Sequence, residues 1–149
     1  MTSIPPVARF LGLTGLLPQF TCAAAVWVGP AEWRWTALAI GWAYAALILS
    51  FLGGMWWGLA AAAPDQARRA PAWIWIAAVS PSLIALGTFV PWVVGERWPG
   101  PSLVVLALAI LASPLVDIRL VTIRPAWWMA LRLPLSAGLG AATLALALG

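Results

Sequence analysis

Few side chains in this sequence can do chemistry, and Asp117 stands first among them. It falls near the end of a long apolar stretch, one helical turn after Pro114 and just before Arg119. Residues two apart on a helix do not face each other, so Arg119 is a poor partner while the helix continues. Arg132 is better placed, about one and a half turns into the next apolar stretch, which must return antiparallel after a short loop. An unpaired charge at that depth is costly, which predicts an Asp117–Arg132 ion pair joining the two helices. Such a pair serves either as a proton or anion site, or the polar end of a ligand cavity, or as a staple that fixes the loop without any substrate.

The other acids, Glu32, Asp65 and Glu96, fall between apolar stretches with Arg34, Arg68 and Arg97 nearby. They read as solvated loop groups, which leaves no chain of carboxylates for an ion-driven pump. Histidine is absent and Cys22 is the single cysteine. Imidazole-ligated haem, the usual zinc and copper sites, iron–sulfur clusters, an intramolecular disulfide and His-dependent catalytic triads are thereby excluded. No metal, no cofactor and no enzymatic activity are expected, and Cys22 reads as a small packing residue.

The elements that must position these groups are membrane helices. Of the 149 residues, 64% are apolar and 8% charged, too few polar groups to cover an ordinary soluble domain. A hydrocarbon layer about 30 Å thick needs roughly 20 helical residues per crossing. The pattern predicts an all-α, polytopic bundle of five transmembrane helices in one domain, at about residues 7–28, 35–62, 72–94, 102–118 and 126–148. The first stretch is too long for the apolar region of a cleaved leader. Pro18 should bend that helix and strip the carbonyl near Thr14 of its donor; Pro81, Pro91, Pro114 and Pro134 supply further kinks.

All eight cations are arginine. Arg9, Arg68, Arg69, Arg119, Arg124 and Arg132 fall on the side of the N-terminus, Arg34 and Arg97 on the other. That bias predicts a cytoplasmic N-terminus and a periplasmic C-terminus, and it carries no implication of nucleic acid. Pro71 and Pro125, each followed by alanine and then Trp73 or Trp127, suit a first helical position and the headgroup level.

The second helix has the clearest internal pattern. Ala46, Ser50, Gly54, Gly58 and Ala62 recur every four residues, a stripe of small side chains on which another helix, a second copy, a lipid or a quinone could lie flat. The Gly53–Gly54 pair weakens the helix and is a candidate hinge. Most of the twelve tryptophans sit near helix ends, as an aromatic belt requires. Trp42, Trp56 and Trp57 belong to the second helix, where indole N–H groups need acceptors. Trp56 and Trp57, with Gln19 and Tyr44, are the candidates for ligand contact, around an apolar slot. Several of the other polar groups inside helices neighbour prolines, where hydroxyls or amides can satisfy freed backbone groups.

Three segments together carry a resemblance: Ile4–Pro5 with Leu11-Gly12-Leu13-Thr14-Gly15-Leu16-Leu17-Pro18; Tyr44 through Gly54 with Trp57–Gly58; and Asp117 with Pro125-Ala126-Trp127 and Leu131-Arg132-Leu133-Pro134-Leu135. The chain resembles the transmembrane protein 69 family over nearly its whole length. Trp128 and Ser136 stand where that family typically has tyrosine and, close by, threonine. The resemblance implies a small multi-helix protein of bacterial inner membranes with mitochondrial relatives, and it supplies no activity.

The leading expectation is therefore a non-enzymatic binding protein, an accessory or assembly partner of an energy-converting complex in the inner membrane. A small channel or carrier gated by Asp117 and Arg132 is the second reading, and a lipid- or quinone-binding protein the third. Membrane lipid, a second copy or another membrane protein are the partners these readings require.

Overall fold

The computed structural model describes residues 3–63 and 71–149; Asp65, Arg68 and Arg69 lie outside the described residues. Among the described residues the secondary structure is helical, and five helical spans are long and apolar enough to cross a membrane: Pro6–Val28, Ala31–Ala61, Ala72–Val93, Gly100–Arg119 and Trp128–Leu148. The expected all-α membrane bundle is the observed fold.

Three of the spans are interrupted. The first divides into α1 (Pro6–Thr14) and α2 (Leu17–Val28), the third into α4 (Ala72–Gly87) and α5 (Val90–Val93), and the fourth into α6 (Gly100–Ala112) and α7 (Pro114–Arg119). Pro18, Pro91 and Pro114 each stand in the first turn of the segment after the break, where a missing N–H costs least. The second span is α3 (Arg34–Ala61), entered through a 3-10 turn at Ala31–Trp33, and the fifth is α8 (Trp128–Leu148). Pro81 and Pro134 lie inside α4 and α8 without interrupting them.

Side-chain hydroxyls close the interruptions. Tyr44 of α3 donates to the Gly15 carbonyl between α1 and α2. Ser102 of α6 donates to the Thr88 carbonyl between α4 and α5, at 2.7 Å. At the third break Ser113 donates to Ile110, at 2.7 Å, the carbonyl that Pro114 deprives of its usual partner. In hydrocarbon a bare carbonyl costs several kcal/mol by order of magnitude, so these hydroxyls are what makes broken spans tolerable.

The packing pairs α3 with α4 and α6 with α8, while α2 bridges to α3 and α8 and α1 leans on α8. Three apolar clusters are stacked along the bundle: Cys22, Leu38, Leu103 and Leu146 towards the C-terminal end, Ala45, Leu49, Leu106, Ile110 and Leu139 in the middle, and Trp56, Ile74, Ala78 and Leu120 towards the N-terminal end. Cys22 is indeed a buried packing residue.

Several expectations are corrected here. The α3 helix is continuous through Gly53 and Gly54, without a break at the pair expected to weaken it. Gly53, outside the stripe, makes the close contact: a Cβ there would strike the Ala78 carbonyl of α4. Gly54 and Gly58 face open space, Ser50 is half-buried, and of the stripe only Ala46 is buried. The stripe is therefore not the face that packs inside the bundle: that face (Ala45, Leu49, Leu52, Gly53, Trp56, Ala60) mixes large and small residues that interlock. The two prolines also precede their helices: Pro71 is the residue before α4, and α8 begins at Trp128, whose N–H bonds Pro125 across a turn, at 3.1 Å.

Candidate functional site

Asp117 and Arg132 meet at the end of the bundle that holds the N-terminus. Asp117 projects from α7, which begins at Pro114 after the interruption at Ser113, and it is fully buried. Arg132 projects from the second turn of α8 and is 7% exposed. Its Nε donates to Asp117 Oδ2 at 2.9 Å. The other carboxylate oxygen, Oδ1, accepts two indole N–H groups, from Trp56 of α3 and Trp128 of α8, both at 2.9 Å. The acid is thus held by three donors from two helices, α3 and α8, besides its own short one.

The guanidinium is held as fully. Arg132 Nη1 donates to Ser136 Oγ and Nη2 to Ser113 Oγ, each at 3.0 Å. The two serine oxygens stand 3.5 Å apart. Because Ser113 passes its own proton to Ile110, its oxygen is free to accept from arginine. A buried ion pair stabilises only where its remaining donors and acceptors are also occupied, and this network meets that condition on the acid side completely.

Beside the network lies a partly open cavity of ≈ 370 Å³, walled by α1, the α1–α2 link, α3, α6 and α8. Its surface is almost wholly apolar, with Leu11, Ile48, Met55 and Leu135 among the lining residues. The polar exceptions lie together: Arg132, Ser136 and the paired indoles of Trp127 and Trp128, whose ring centres are 6.0 Å apart. Ligand cavities commonly enclose about 300–1,000 Å³ with a few convergent polar groups, and this one fits that description.

The remaining candidates are placed elsewhere. Arg119 is exposed and takes no part in the ion pair. Trp56 is buried as the donor to Asp117, whereas its neighbour Trp57 is exposed and packs edge-on to Trp75, with ring centres 4.8 Å apart. Tyr44 is engaged with Gly15, and Gln19 donates to Thr143 Oγ1 at 2.9 Å in a separate buried contact between α2 and α8. None of these four lines the cavity, which corrects the apolar slot expected around them. Gly54 and Gly58 do not border it either.

Sequence reasoning passed over Trp127, Trp128, Ser113 and Ser136 as site residues. A signal for two of them existed: Trp128, Arg132 and Ser136 follow at intervals of four and so share one face of α8. Ser113 precedes a proline, which suggested only a local capping role.

No curated protein and no solved structure matches this chain. A family model described as a protein of unknown function, DUF3429, matches residues 4–148, nearly the full length, and the chain therefore belongs to that family.

Proposed function

We propose that this protein works by binding, and that it holds a lipophilic molecule with a polar head in the cavity beside Arg132. The observation that carries the reading is the meeting of an apolar cavity of ≈ 370 Å³ with a buried arginine on its wall. An ion pair that served only as a staple would have no need of a cavity at its side. In this role the protein is a non-enzymatic accessory to a larger membrane complex that uses the same molecule.

The same reading puts the chain in a bacterial inner membrane with its N-terminus and the cavity on the cytoplasmic side. The arginine distribution supports this, with Arg9, Arg119 and Arg124 towards one face and Arg34 and Arg97 towards the other. A carrier gated by the ion pair draws less support, because Asp117 is enclosed by three donors and the cavity walls are apolar.

Native mass spectrometry of the protein released gently from its own membrane tests the proposal. Wild type should retain one small lipophile per chain. Ala8→Trp, which enlarges a half-buried residue of the cavity wall, should lose it while leaving the fold intact. A bare wild-type chain, or equal retention by the variant, overturns the reading.

A further inference from the structure

The cavity's polar wall has a definite sign. Arginine carries five N–H donors, and three of Arg132's are engaged by Asp117, Ser136 and Ser113. One N–H on each terminal nitrogen is left with no acceptor among the described residues, and the side chain borders the cavity. The acceptors nearby are already occupied, since Asp117 receives three donors and Ser136 receives one. What the site has to spare is donor capacity.

Charge narrows the choice further. The positive charge of Arg132 is matched by Asp117 at 2.9 Å. A carboxylate or phosphate entering the cavity would add an unmatched negative charge in a poorly polarisable medium, where such a charge is costly. A neutral acceptor, a carbonyl oxygen, takes the spare donors without that penalty. The indoles of Trp127 and Trp128 line the same wall and offer aromatic contact to a planar ring, and the remaining walls suit an apolar tail.

On the basis of the binding reading above, we infer that the occupant is a membrane quinone, held non-covalently in its oxidised form with one carbonyl oxygen on the terminal nitrogens of Arg132. A quinol oxygen can accept from arginine as well, but its own hydroxyl proton then meets no free acceptor on this wall, so the reduced form fits worse. No electron transfer belongs to this step.

The purified full chain in lipid nanodiscs, offered a short-tailed benzoquinone, the corresponding quinol, a fatty acid and a diacylglycerol, decides the matter by native mass spectrometry and competition. The expected result is a saturable one-to-one quinone adduct, about tenfold tighter than the quinol, the factor of one buried hydroxyl donor left unpaired. Ala8→Trp should abolish the adduct. Arg132→Lys, where it folds, should narrow the difference between quinone and quinol. Equal binding of quinone and quinol, or a quinone adduct undiminished in Ala8→Trp, overturns the inference. Fatty acid or diacylglycerol filling the cavity in preference to quinone overturns it too, but leaves the binding reading standing. Binding of none of the four defeats both.

Discussion

Two buried polar groups of this bundle solve the same problem in opposite ways. At the N-terminal end Asp117 and Arg132 draw in Trp56, Trp128, Ser113 and Ser136, so that α3, α7, α8 and the junction between α6 and α7 all contribute. Deeper in the bundle Gln19 has a single bond, to Thr143, and its Oε1 has no partner among the described residues. Both side chains are inaccessible to solvent, with Gln19 and Asp117 each at 0% exposure. A full charge in hydrocarbon must be surrounded by partners or the fold fails, whereas a neutral amide can be buried half-satisfied for a cost the packing absorbs. Elaborate second contacts therefore accumulate around the charged pair.

That contrast can be broken by removing one charge. Asp117→Asn should lower stability by about 3–5 kcal/mol, the usual cost of leaving one member of a buried pair alone, and chemical unfolding in detergent measures it. Pairing it with Arg132→Gln should recover part of that loss; no recovery would mean that the surrounding contacts, not the charge, set the cost. Trp56→Phe comes next, at about 1–3 kcal/mol, because it removes a buried donor to a charged oxygen. Trp128→Phe deletes the equivalent bond from a half-buried position and should cost about 1 kcal/mol. Gln19→Leu should be the mildest, within about 0.6 kcal/mol of wild type, since it removes one hydrogen bond and one unsatisfied oxygen together while Thr143 keeps its bond to Leu139. A loss from Gln19→Leu as large as that from Asp117→Asn would erase the distinction.

The membrane bundle was legible because apolar length alone determines it, and hydrocarbon permits few alternatives. The closure of Asp117 onto Arg132 was legible for a related reason: two opposite charges flanking one short loop have nowhere else to go. Trp56 and Trp57 illustrate what was not. Adjacent residues on a helix point about 100° apart, and which one turns inward depends on where α4 and α7 lie, information absent from α3 itself. Gly53 and Gly54 repeat the point, the closed contact falling one residue away from the regular stripe. The cavity is a property of five segments at once, so no single periodicity could announce it.

The hydroxyl closures at the three breaks also bear on how the protein is made. Tyr44 lies on the span synthesised directly after the break it closes, and so does Ser102. At the third break the outside partner is again on the following span, where Arg132 reaches Ser113. The first two interrupted spans leave the ribosome with a backbone that their successors finish, whereas the third closes its own carbonyl through Ser113, so membrane insertion must run in step with pairing. For this chain translation order is part of the folding code: a permuted gene that separates neighbouring spans would deliver the same helices with their breaks open to lipid.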